Sequence, residues 1–179
     1  MVTITYFVHG TTKDNENGIA TGWLPGDLSQ RGMQQSRELR MQIGDKKFDA
    51  IFTSDLKRAV DSAGLAFEGM APFYADVRLR ECNYGALNGT SAVTDAMQEQ
   101  MINRPFPAGE SYKDVERRIA DFLNTIKPQF DGKHIAIVAH KGPQLALEVL
   151  LNGKTWEQAF AEDWRKTKAW QPGWEYQLK

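Results

Sequence analysis

The chain has 179 residues, with 22 Lys and Arg against 23 Asp and Glu, a formal net charge of −1, and 41% hydrophobic residues. That length fits one domain spanning residues 1–179, large enough to bury a core without a disulfide or a structural metal. A near-zero charge excludes any global attraction to nucleic acid or to an anionic membrane surface, so an anion site must be local.

The first run, Met1 to His9, is short and β-branched. It lacks a basic n-region and a small-residue cleavage site, so it is expected to be a strand and not a signal peptide. Residues 3–8, 49–53 and 134–139 are short β-branched and aromatic runs bounded by turn or capping residues, the pattern of buried strands. Between them the period is helical. Residues 29–43 put Met33, Ser36, Leu39 and Ile43 on one face, and residues 111–127 put Val115, Ile119, Phe122, Leu123 and Ile126 on one face. Ser111 with Asp114 and Thr155 with Gln158 mark helix starts, and Pro143 suits a first helical position. No repeat or linker divides the chain. Strand followed by helix, repeated, predicts an α/β fold, a three-layer α/β/α sandwich with a mostly parallel central sheet. Ligands of such sheets lie beyond the carboxyl ends of the strands.

Three strand ends therefore matter: His9-Gly10-Thr11-Thr12, Thr53-Ser54-Asp55-Leu56-Lys57-Arg58, and Ala139-His140-Lys141-Gly142-Pro143. In a parallel sheet they meet on one rim, with two imidazoles, a guanidinium and two helix amino termini, whose free N–H groups suit an anion. Ser54 as a cap places Arg58 on the same helix face one turn later.

These residues resemble the histidine phosphatase superfamily, also called phosphoglycerate mutase-like. His9-Gly10 fits its first motif in part, and Asn15 and Thr21-Gly22-Trp23-Leu24 resemble the loop that follows. Ile51 to Ala59 resembles the strand-to-helix segment with a phosphate-binding Arg at Arg58. Leu79 to Gly89 matches the turn that carries Glu81 and Tyr84. Gly109-Glu110-Ser111 with Arg117 or Arg118 resembles the next landmark, and Val138-Ala139-His140 supplies the second His. The resemblance implies a phosphoglycerate mutase-like fold and a hydrolase for a small phosphate monoester. His9 would form a phosphohistidine, Glu81 would act as proton donor, and Arg58 and His140 would hold phosphoryl oxygens. Gly10, Asn15, Thr21, Gly22, Tyr84 and Lys141 would line the substrate site.

One departure stands out. Val8 precedes His9 where the family has Arg, as if a residue had been skipped, and a skip would turn His9 to the other face unless the loop absorbed it. Lys141, in a position commonly Gly, either returns the lost charge or projects into solvent, and Lys13 is a second candidate cation. The alternative reading is a weak or inactive member that binds a phosphorylated ligand or a protein. A mutase-type phosphotransferase fits less well, because the stretch between Glu81 and Gly109 is short where mutases carry a long insert.

Other features take blander readings. Neither a metal nor a cofactor is expected, since the chain has no His-Glu-x-x-His and no Cys-x-x-Cys. Cys82, the single cysteine, is expected to be buried and structural, and its solitude suits a reducing compartment. No stretch approaches the roughly 18 apolar residues of a membrane span, so a cytoplasmic protein is expected, with no nucleic-acid or membrane partner. His134 starts its strand at the end opposite His140 and is read as structural. In the tail, Trp156, Phe160 and Trp164 recur at helical spacing, and Trp174 to Leu178 alternates like an edge strand. These rings are expected to pack in the core, the other options being a wall of the substrate pocket or the contact of a homodimer.

Overall fold

The computed structural model describes residues 1–179. Five strands, β1 (Val2–Val8), β2 (Ala50–Thr53), β3 (Phe73–Ala75), β4 (His134–Ala139) and β5 (Trp174–Leu178), form one sheet in the order β3-β2-β4-β1-β5. All neighbours are parallel except β5, which runs antiparallel to β1. The helices are α1 (Lys13–Glu16), α2 (Gln30–Ile43), α3 (Lys57–Phe67), α4 (Asp95–Gln100), α5 (Tyr112–Gln129), α6 (Lys141–Asn152), α7 (Trp156–Ala161) and α8 (Trp164–Thr167). No helix is long and apolar enough to cross a membrane.

The period-2 alternation of the strands sorts side chains into two layers. Ile4, Tyr6, Ala50, Phe52, Ile135 and Ile137 face the larger core, with Val115, Ile119 and Phe122 of α5 and Leu145 and Ala146 of α6. Phe7, Ile51, Ala136 and Val138 face the smaller one, with Ile43 of α2 and Ala63, Ala66 and Phe67 of α3. This is an α/β/α sandwich. Ser111 and Thr155 cap α5 and α7 through full capping boxes with Asp114 and Gln158.

Four details differ from expectation. Pro143 is the third residue of α6, not the first, a position where its missing N–H still costs no intrahelical bond. Ser54 does not cap α3, which has Leu56 at its N-cap. The aromatic tail is not one helix: Asp163 breaks it and caps α8, so Trp156 and Phe160 enter the core while Trp164 stacks on Trp174 with ring centroids 5.4 Å apart. Strand β3 was not foreseen, because its three residues are all exposed and carry no alternation.

Candidate active site

Pairing of β1 with β4 is unbroken from Thr3↔His134 to Val8↔Ala139, and the His9 N–H then donates to Ala139 O at 3.1 Å. No bulge precedes His9, and Val8 itself lines the cleft. His9 Nδ1 lies 2.8 Å from Gly10 O. A carbonyl can only accept, so Nδ1 carries the proton and Nε2 keeps a free lone pair. Burial, and then the Arg58 charge, push the His9 pKa down to about 3, which keeps the ring neutral. Gly10 is required by close packing: a Cβ there would lie 2.4 Å from Gly32 O in the first turn of α2. Its N–H donates to Ser62 Oγ, which in turn donates to Arg58 O.

His140 follows β4 and is fully buried. The Tyr6 hydroxyl clamps its backbone, donating to His140 O at 2.6 Å and accepting the His140 N–H at 2.8 Å. Ser54 Oγ lies 2.6 Å from Nε2, so the serine expected to cap a helix instead orients an imidazole. Nδ1 is buried and has no hydrogen-bond partner within the chain. The two imidazole centroids are 5.0 Å apart. Burial first, then Arg58 and His9, hold His140 well below the usual histidine range.

Arg58, the second residue of α3, is buried, and its guanidinium donates from NH1 to Leu24 O (2.7 Å) and Pro25 O (3.3 Å) and from NH2 to Gly22 O (2.8 Å). These bonds tie the loop 22–25 to the cation that the loop surrounds. Glu81 sits over the amino terminus of α6. Its Oε1 accepts from Cys82 N and Gly142 N, both at 2.8 Å, while Oε2 accepts only from Lys141 N at 3.1 Å. The N-terminal N–H groups of α6 thus fix the carboxyl group, and Oε2 keeps spare capacity. Gly142 makes this approach feasible, since a Cβ there would lie 2.5 Å from Oε1. The Glu81 carbonyl is held from behind by Trp23 Nε1 (2.7 Å) and Arg118 NH2 (2.9 Å).

The ten site residues read from the sequence, His9, Gly10, Asn15, Thr21, Gly22, Arg58, Glu81, Tyr84, His140 and Lys141, all line one cleft of about 790 Å³. Not all are free to bind. Thr21 Oγ1 donates to Asp14, and Asn15 Oδ1 accepts the Thr12 N–H. Lys141 does not project into solvent. Its side chain is 13% exposed, and Nζ pairs with Asp95 at 2.8 Å and Asp163 at 3.5 Å. Lys13 turns away, pairing with Asp27 on the exposed surface. Of the two landmark arginines, Arg118 binds Glu110 and supports the Glu81 turn, while Arg117 is 77% exposed. Cys82 is buried and its thiol is pushed far up by burial and by Glu81, so it stays protonated. His134 bonds Thr5 Oγ1 and packs on Phe48 at the far end of its strand.

One wall of the cleft is the lesser option weighed for the tail rings, and within it sequence reasoning missed only Arg165. Trp164, Arg165 and Trp170 from the tail line it opposite residues of α2 such as Arg31 and Gln35. No motif marks them, and only the break at Asp163 brings them there.

The family model of the histidine phosphatase superfamily (branch 1) matches residues 6–174. A Hydrogenobacter thermophilus protein provisionally named phosphoserine phosphatase 2 is 32% identical over 156 residues, 81% of this chain and 76% of the relative. A 2,3-bisphosphoglycerate-dependent phosphoglycerate mutase of a Methylobacterium species is 31% identical over 167 residues, 83% of this chain and 80% of the relative. The solved structure of Bacillus stearothermophilus YhfR superposes with a TM-score of 0.79 at 25% identity, covering 89% of this chain and 84% of that one. With a match across nearly its whole length and two neutral imidazoles facing each other at its strand ends, this chain belongs to the histidine phosphatase superfamily.

Proposed function

We propose that the protein is a phosphatase that hydrolyses a small phosphate monoester through a phosphohistidine on His9. The observation that carries this reading is the bond from His9 Nδ1–H to Gly10 O, which leaves Nε2 as a neutral nucleophile beside His140 and Arg58. Nε2 attacks phosphorus and the ester P–O bond breaks, with Glu81 passing a proton to the departing oxygen. Water then attacks the phosphohistidine, Glu81 takes a proton from it, the P–N bond breaks, and inorganic phosphate leaves. Arg58 and the unpartnered Nδ1 of His140 stabilise charge on the transferring oxygens. The phosphatase name of the Hydrogenobacter relative supports hydrolysis.

The mutase name of the Methylobacterium relative supports the same phosphohistidine chemistry with an alcohol as acceptor. A binding module without turnover is favoured by a single observation, Val8 before His9. One experiment separates the three. The protein is incubated with 4-nitrophenyl phosphate and with a panel of phosphorylated metabolites beside His9→Ala, and free phosphate and alkali-stable protein-bound phosphate are measured. Hydrolysis predicts phosphate release that falls by about 10³-fold or more in His9→Ala, as the loss of a covalent nucleophile does. A phosphoenzyme discharged only by a second alcohol would make it a transferase. Equal trace rates for wild type and His9→Ala would sink the catalytic reading.

A further inference from the structure

The candidate phosphoryl site is short of positive charge on the β1 side. Val8 lines the cleft where a cation would be useful, Arg58 spends both NH1 and NH2 on carbonyls of the loop 22–25, and Lys141 is paired with two carboxylates. A phosphoryl group in transfer spreads charge over three equatorial oxygens, and a site of this kind works by charge placement. Among the cations that line the cleft, Arg31 of α2 and Arg165 of the tail remain, and Arg165 is the one held next to the second imidazole, through Gln144, whose N–H donates to His140 O.

We infer that Arg165, carried by α8 of the tail, is a phosphate-binding residue that supplies the guanidinium missing from the strand end before His9. This rests on the reading of the cleft as a phosphoryl site and adds a residue to it. Arg165 is built into place. NH1 donates to Asp163 Oδ1 at 2.9 Å, and Asp163 is a fully buried carboxylate that caps α8 and also faces Lys141. NH1 and NH2 both reach Gln144 Oε1 at 3.4 Å, and Gln144 lies in the first turn of α6, one turn beyond His140. The guanidinium carbon stands 4.4 Å from the centroid of the Trp164 ring, which stacks in turn on Trp174 of the edge strand. The contact to Asp163 uses one nitrogen, not the paired fork, and Nε makes no hydrogen bond within the chain. Donors therefore remain for an anion. The charge is also felt where the chemistry would occur, since Arg165 helps to depress both His9 and His140.

The test measures inhibition by orthovanadate and by inorganic phosphate, and kcat and KM for 4-nitrophenyl phosphate, in wild type, Arg165→Ala, Arg165→Gln and Arg165→Lys. Arg117→Ala serves as a surface-charge control. A charged hydrogen bond to phosphate predicts that Arg165→Ala and Arg165→Gln weaken vanadate and phosphate by about ten- to hundredfold and lower kcat/KM comparably. Arg165→Lys recovers part of the loss, and Arg117→Ala changes nothing. The Gln variant retains an amide for Asp163 and Gln144, so it distinguishes lost charge from a collapsed tail. Unchanged vanadate and phosphate constants in folded Arg165→Gln overturn the inference, whatever happens to the ester. An absence of His9-dependent turnover in wild type would instead defeat the hydrolase reading. Calorimetric phosphate binding by the same variants then still decides the role of Arg165: a loss in the Ala and Gln variants upholds it, and equal affinities end it.

Discussion

The two walls of the cleft are built by different means. On the strand-end wall, His9 and Glu81 are held by backbone groups, Gly10 O and the amino terminus of α6, and His140 is held by the buried hydroxyls of Tyr6 and Ser54. On the tail wall, Trp164 and Arg165 are held by each other, by Asp163 and by Gln144, and only α8, four residues long, gives them regular backbone. Groups anchored as on the first wall lose little entropy when substrate binds and keep their aim when neighbours change. Groups carried on so short a helix adapt, and one substitution can release them. The difference predicts that damage to the first wall destroys activity, whereas damage to the second alters affinity.

The largest effect is expected at Arg58. Arg58→Ala removes the buried cation and also leaves the carbonyls of Gly22 and Leu24 without donors, while Pro25 O keeps the backbone N–H of residue 58. A fall of about 10²–10⁴ in kcat/KM is expected, with about 1–3 kcal/mol of stability lost to the unpaired groups. Steady-state kinetics and urea unfolding on one preparation check both halves. Activity within tenfold of wild type would mean that the guanidinium serves the loop alone.

Next comes Gly142→Ala, in which the new methyl group would press on Glu81 Oε1 from 2.5 Å and force the carboxyl group to move. Proton transfer is worth about 10²–10⁴ in rate, and partial displacement should cost about ten- to hundredfold in kcat. Vanadate affinity should hardly change. The loss should be smaller for 4-nitrophenyl phosphate than for an alkyl phosphate, because a good leaving group needs less protonation. Equal losses on both esters would show that Glu81 does not deliver the proton.

The sequence made the strand-end wall legible because its chemistry is local. A histidine at the end of a β-branched run, or an Arg one turn into a helix, is placed by secondary structure alone, whereas Asn15, Thr21, Gly22, Glu81 and Tyr84 were singled out by the family resemblance, and all ten residues share the cleft. What was not legible is set by tertiary contacts. Ser54 looks like a cap, and only its 2.6 Å contact with His140 across two strands shows what it does. Lys141 looks free until Asp95 and Asp163, distant in sequence, meet it. The spacing of Trp156, Phe160 and Trp164 promised one continuous helix, and the turn at Asp163 that breaks it also swings Arg165 into the cleft.

The first wall also predicts a pH response. His9, with a pKa near 3, and His140, held well below the usual range, are neutral in the folded chain, whereas in the unfolded chain both take up a proton below about pH 6.5. The unfolded state then binds more protons, so stability is full above about pH 6.5 and falls as the pH drops toward 3. For His9 alone the loss between pH 6.5 and 5 is about 2 kcal/mol. His134, lowered by burial, acts in the same direction. Paired carboxylates such as Asp55, held by Arg80, and Asp114, held by Ser111, lie below the ordinary carboxylate range. Urea midpoints at pH 7.5 and 5 should therefore differ, and His9→Asn should reduce the difference. A wild-type midpoint that is flat over that range would mean that the imidazoles are not held neutral by the fold.

The smallest effect is expected on the tail wall. Trp164→Ala removes the stack on Trp174 and the ring beneath Arg165, worth about 0.5–1.5 kcal/mol for the aromatic pair and 0.5–1 kcal/mol for the cation over the ring. Stability should fall by no more than about 2 kcal/mol, since β5 keeps its ladder to β1. Vanadate affinity should weaken severalfold, because Arg165 loses its platform but keeps Asp163. Trp174→Phe, which retains a ring for Trp164 to stack on, should sit between wild type and Trp164→Ala in both measurements. If Trp164→Ala instead cost as much activity as Arg58→Ala, the tail would be as rigidly coupled to the chemistry as the strand ends, and the contrast between a fixed wall and an adaptable one would be wrong.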